Sequence, residues 1–316
     1  VNPKLQGYAA AVLDAGDADA RAGMAGDLEA IEQLVLANPT LRSALTDTTV
    51  RGSVRRAVML DLLEGKVSEP ARRLAAFATS VMAAPDVPAA LGWVATRARH
   101  AAEGQEYVEI ALSLTQSRAR VGGYATAVHE DSSVAELESM EDELFRFARI
   151  VESTPLLRAA LVDRDLDVEA RQGIASDLLD GKVRASTLAL VRYAIAGGRA
   201  RDIVGTLDFL VELTAAARGW RIARVRSAAP IEDSQQTELS DSLGSLAGAP
   251  VELQIVLDEA LLSGAIIQIG DLQVDASARG RIDVLREHLM PGGWEDSGFH
   301  TTGVRTSGTT QTKGAG

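Results

Sequence analysis

Apolar residues recur along this chain at steps of three and four. Met24, Leu28, Ile31 and Val35 follow that spacing, and so do Met140, Leu144, Phe147 and Val151. The spacing lays one apolar stripe on one face of a helix. Further helices are predicted over about 50–64 and 166–180, and over about 69–83 and 185–196. Gly65 and Gly181 stop the first pair, because glycine enters the left-handed conformation at a helix end at little cost. A last pair steps through Val87, Leu91, Val94 and Ala98, and through Ile203, Leu207, Leu210 and Thr214. Asn38-Pro39 and Thr154-Pro155 open an element alike, with a capping oxygen followed by a proline at the first helical position.

The pairs share one offset. Gly7-Tyr8-Ala9 returns as Gly123-Tyr124-Ala125, and Leu62-Leu63-Glu64-Gly65-Lys66-Val67 returns as Leu178-Leu179-Asp180-Gly181-Lys182-Val183, both displaced by 116 (124 − 8 = 178 − 62 = 116). Without gaps, residues 4–104 are identical to 120–220 at 27 of 101 positions. That period is the length of a small domain and too long for one solenoid repeat. The reading is two homologous bundles of five or six helices in tandem, over 1–112 and 113–219.

After Arg218-Gly219 the pattern changes. Trp220–Val225 and Val251–Val256 alternate with period two as half-buried strands do. Ala265–Ile269 and Leu272–Val274 flank Gly270-Asp271 as a hairpin. Helices are predicted at Ser234–Leu246 and Ser277–Leu289. Residues 220–290 therefore form a small α+β module, and 291–316, poor in apolar residues, a disordered tail. The fold class is mainly α.

Composition narrows the function. A net charge of −12 disfavours nucleic acid, whose binding needs a positive face. No cysteine is present, so disulfides and thiolate chemistry are excluded. The most apolar run, Leu257–Ile269, is cut by Asp258, Glu259 and Gly264, so no membrane span is predicted. The Gly-Lys pairs at Gly65-Lys66 and Gly181-Lys182 lack the glycine five residues earlier that a phosphate loop needs. His100, His129, His288 and His300 sit at no ligand spacing and read as surface or boundary residues. No catalytic, metal or cofactor site is predicted. Arg51, Arg55 and Arg56 read as a basic face that either pairs with local acids or meets an acidic helix of a partner. Tyr8 and Tyr124, on helices of small residues, make either an internal helix contact or a groove for a partner's amphipathic helix.

Residues 117–290 resemble the delta subunit of bacterial F-type ATP synthase and its mitochondrial counterpart, the oligomycin-sensitivity-conferring protein. Asp258 to Ile282 carries most of the likeness, with Tyr124-Ala125-Thr126-Ala127, Gly198-Arg199 and Ser227-Ala228-Ala229-Pro230 in support. Ser263 and Ala276 depart from the family's glycines. The resemblance implies a non-catalytic stator on the cytoplasmic side of the plasma membrane, resisting rotor torque. Its partners would be the alpha subunit N-terminus, the b or b′ stalk helices and, as a further contact, the beta subunit. The implied alpha groove is Tyr124, Ala125, Val128, Gly198, Arg199, Leu207 and Leu210, with a second groove at Tyr8, Ala9, Val12, Leu91 and Val94. The implied stalk contact is Gly264, Ile266, Gly270, Asp275 and Arg279. The duplicated helical domain and the absence of a leading Met resemble a fused b–delta subunit, with a b-like segment ahead of Val1. A helical adaptor outside ATP synthase and a ligand-binding protein without a known motif remain alternatives.

Overall fold

The computed structural model describes residues 1–105, 112–163, 165–197, 202–258, 260–261, 263–269, 272–275 and 304–306. By packing, the chain divides into Val1–Thr214 and Ala215–Gly316.

The first unit is helical. Its elements are α1 (Pro3–Asp14), α2 (Ala18–Ala37), α3 (Pro39–Thr46), α4 (Gly52–Leu63), α5 (Glu69–Val81) and α6 (Val87–Ala102), then α7 (Leu114–Glu130), α8 (Val134–Ser153), α9 (Pro155–Val162), α10 (Val168–Leu179), α11 (Ala185–Gly197) and α12 (Ile203–Ala217). From α2 to α6 each helix begins 116 residues before its counterpart among α8 to α12 (134 − 18 = 155 − 39 = 168 − 52 = 185 − 69 = 203 − 87 = 116). The two apolar stripes read from the sequence lie on α2 and α8, and all eight of their residues are buried.

Local chemistry explains the helix ends. Ser113 and Ser133 each form a reciprocal capping box, with Gln116 and Glu136, at the starts of α7 and α8. Asn38 accepts from the Leu41 N–H at 3.1 Å. Thr154 makes no such bond, so the second Xaa-Pro start rests on proline alone. Gly65 and Gly181 both have φ of +67°, as helix stops require.

Arg55 corrects the sequence reading. It is 6% exposed, inside the fold instead of on a solvated face. Its Nε donates to Thr79 O at 3.0 Å, Nη1 to Val50 O at 2.6 Å and Nη2 to Met82 O at 2.9 Å. The guanidinium closes the Thr79 and Met82 carbonyls, which the end of α5 leaves without helical partners, and ties them to Val50 ahead of α4.

The second unit adds β1 (Arg221–Ser227), α13 (Asp233–Ala247), β2 (Val251–Leu257), β3 (Ala265–Ile269), β4 (Leu272–Asp275) and β5 (Val304–Thr306), with strand order β2-β1-β3-β4-β5. β1 and β2 are parallel, joined through α13, and the other pairs are antiparallel. Ala223, Leu243 and Val251 form the core, with Leu239, Leu253, Ile267 and Ile269 packed against it. Val304–Thr306 lies in the segment read as a disordered tail, yet it pairs with β4. Two β-branched residues in three suit it to that strand edge. The helix expected at 277–289 lies outside the described residues. Among the described residues, no helix is long and apolar enough to cross a membrane.

Candidate functional site

The Tyr helices meet. α1 crosses α7 so closely that a Cβ placed on Gly7 would fall 1.8 Å from the Arg120 carbonyl oxygen. A Cβ on Gly123 would fall 1.9 Å from that of Lys4. Both distances lie far inside van der Waals contact, so the backbones touch and only glycine fits at either position. The sequence could show that Gly7 and Gly123 recur, but not that each faces the other helix.

The tyrosines complete the crossing. The Tyr8 hydroxyl donates to Glu130 Oε2 at 2.5 Å, and the Tyr124 hydroxyl to Asp14 Oδ2 at 3.3 Å. Tyr8 stacks on Phe77 of α5, with ring centroids 3.8 Å apart, and Tyr124 stacks on Tyr193 of α11 at 4.0 Å. Burial, reinforced by the neighbouring carboxylate, pushes both phenols above their ordinary pKa. Burial also raises Asp14, against the lowering effect of its hydrogen bond from Tyr124. Around the Glu130 end, Arg56 Nη2 reaches Glu130 Oε1 at 2.6 Å. Arg73 grips Asp131 with both terminal nitrogens. Arg56 also lies 5.9 Å from the Phe77 ring centre. Glu130, Asp131, Asp14, Phe77, Tyr193 and Arg73 were not singled out from the sequence. The available signal was the same 116 offset linking Asp14 to Glu130 and Phe77 to Tyr193.

The other residues expected to grip a helix are placed as follows. Tyr8, Ala9, Val12, Leu91 and Val94 are buried, and so are Tyr124, Ala125, Leu207 and Leu210. Val128 is half-buried on the last turns of α7. Gly198 and Arg199 lie outside the described residues. Arg120, buried beside the crossing, donates from Nε and Nη2 to Gly197 O at the end of α11. His129 is half-buried, a boundary residue, with Nε2 3.0 Å from Thr214 Oγ1. Desolvation pushes its pKa down to about 4.

In the second unit, Gly264 has φ of +85°, and its carbonyl accepts from the Ala228 N–H at 3.1 Å as β3 begins. Ile266 pairs in register with Arg226 on β1 and Asp275 on β4. Gly270 and Arg279 lie outside the described residues. Among the described residues, the arrangement offers helix faces and a sheet.

Comparison with known proteins agrees with that character. The family model for the ATP synthase delta (OSCP) subunit matches residues 5–82 and 121–289. The ATP synthase subunit delta of Rhodococcus opacus (strain B4) is 32% identical over 278 residues, spanning 88% of this chain and 91% of the relative. That of Parafrankia sp. (strain EAN1pec) is 33% identical over 266 residues, 84% of this chain and 86% of the relative. That of Thermobifida fusca (strain YX) is 38% identical over 162 residues, 51% of this chain and 60% of the relative. The chain belongs to the ATP synthase delta (OSCP) subunit family, a non-catalytic component of the peripheral stalk of F-type ATP synthase.

Proposed function

We propose that this chain ties the N-terminal helices of alpha subunits to the b stalk, and that its helical unit is a duplicated delta-type domain. The observation that carries the reading is the extent of the family match. It spans both helical sets and the C-terminal unit, and its two segments begin 116 residues apart (121 − 5 = 116). The equal spacing of helix starts supports the duplication. On this reading 1–112 and 113–219 are the two copies, and 220–290 meets the stalk through Gly264, Ile266, Gly270, Asp275 and Arg279. The stalk helix comes from a separate chain or from a segment continuous with this one.

A stator holds a load without doing chemistry, so it needs broad apolar helix contacts. Tyr124, Ala125, Leu207 and Leu210 are buried in the chain's own packing. The proposed alpha contact therefore lies at the margin of that packing, on the turn of α7 bearing Val128. Holding the head and the stalk in one chain also gains from effective concentration.

The test is calorimetric titration of the intact chain with the N-terminal peptide of the cognate alpha subunit. Saturable binding that Val128→Asp weakens, with helix content unchanged, is the expected result. Absence of any heat at saturating peptide, with the chain folded, would overturn the alpha contact.

A further inference from the structure

We propose that the α1–α7 crossing is a self-complementary interface, and that the partner it fits is the other copy of this domain, supplied here within one chain. The inference rests on the duplication reading above. It adds that each copy's first helix is the ligand of the other copy.

Two contacts across the crossing each occur twice, related by one shift, and the packing within each copy repeats under the same shift. Gly7 approaches Arg120 as Gly123 approaches Lys4 (7 + 116 = 123; 4 + 116 = 120). Tyr8 donates to Glu130 as Tyr124 donates to Asp14 (8 + 116 = 124; 14 + 116 = 130). Tyr8 rests on Phe77 as Tyr124 rests on Tyr193 (77 + 116 = 193). α1 packs on α5 as α7 packs on α11. A contact in which residue i meets j and the equivalent of j meets the equivalent of i is isologous, the geometry of a two-fold dimer. Two copies docking at random positions would not reproduce a hydrogen bond and a backbone approach under one offset.

The charges around this crossing then select the mixed pair. Arg56 meets Glu130 and Arg73 meets Asp131. If two second copies paired instead, Glu130 would face Gln172 and Asp131 would face Ala189 (56 + 116 = 172; 73 + 116 = 189). If two first copies paired, Arg73 would face Ala15 (131 − 116 = 15). Either like-with-like pairing loses the bidentate Arg73 pair, while the copy-one with copy-two pairing keeps it. Discrimination by partners left without a counter-charge is how related interfaces avoid one another. The geometry thus describes a shared fold for pairing and a divergent charge pattern that keeps the pair within the chain.

The experiment uses the full chain with a protease recognition sequence inserted within 106–111. After cleavage, association is followed by native mass spectrometry and by dilution on size exclusion, and folding by circular dichroism. The cut wild-type halves are expected to stay together one to one. Gly7→Leu and Gly123→Leu are each expected to abolish the association, because both sites are backbone contacts of one kind. Should these variants misfold, Tyr8→Phe with Tyr124→Phe keeps the rings. Removing two hydrogen bonds to carboxylates should then raise the dissociation constant about a hundredfold. Arg56→Gln with Arg73→Gln should raise it by about three- to tenfold, less at high salt, as partly exposed ion pairs do. Separation of the cut wild type into two folded halves would overturn the proposal. So would equal affinity after the Phe substitutions, or self-association of the C-terminal half as tight as the mixed pair. None of these readouts involves the alpha subunit, so failure here leaves the stator reading standing, and failure of the peptide titration leaves this one standing.

Discussion

Acidification should weaken the helical unit through His129. The ring sits between α7 and α12, and burial lowers its pKa from 6.5 to about 4. The unfolded ring takes up a proton below about pH 6.5, whereas the folded one resists until about pH 4. Between those values the unfolded state binds more protons, so stability is fully present above pH 6.5 and is lost as pH falls toward 4. The difference of 2.5 pKa units (6.5 − 4) sets a ceiling of about 3 kcal/mol. The ring is half-buried, and partial access to water reduces the expected loss to about 2 kcal/mol. Urea unfolding followed by circular dichroism, from about pH 7.5 to about pH 4.5, measures it. His129→Gln removes the titration and should flatten the curve by that amount. Asp14 is raised by burial and acts in the opposite sense, but it is common to both proteins and cancels in the difference. Parallel curves for the wild type and His129→Gln would refute the reasoning.

Three further substitutions test local claims by denaturant or thermal unfolding. Arg55→Met leaves the Thr79, Val50 and Met82 carbonyls without their donor and should destabilise the helical unit by about 3 kcal/mol; a loss under about 1 kcal/mol would contradict the cap. Two glycines should respond with opposite signs. Gly181→Ala, at φ of +67°, should cost about 1 kcal/mol, while Gly173→Ala, in the interior of α10 with open space around it, should stabilise by about 0.5–1 kcal/mol. Ser133→Ala breaks a reciprocal capping box and should cost about 1 kcal/mol.

The helices were legible because each carries its own signal. A stripe such as Met140, Leu144, Phe147 and Val151 depends only on spacing within one element, as does the glycine that ends α4 or α10. The strands β1 to β3 and the helix α13 announced themselves in the same way. What stayed hidden depends on which elements meet. The pattern around Tyr8 and Tyr124 fitted an internal contact and an open groove equally well, and the hydroxyls' partners Glu130 and Asp14 had no local mark. Arg55 and Arg171 recur at the same place in both sets, and both are buried. Read alone, Arg55 belongs to a charged cluster with Arg51 and Arg56; only the fold shows it turned toward the end of α5. The contact of His129 was hidden for the same reason, since Thr214 lies on α12, far along the chain. β5 escaped notice because three residues are too few for a period.

The most direct test of the stator account is binding of the purified chain to the isolated catalytic head, read by size exclusion and native mass spectrometry. The account predicts a stable complex with the intact head and its loss when the alpha subunits lack their N-terminal helices. A folded chain that fails to bind the intact head, or that binds equally well to the truncated one, would contradict it.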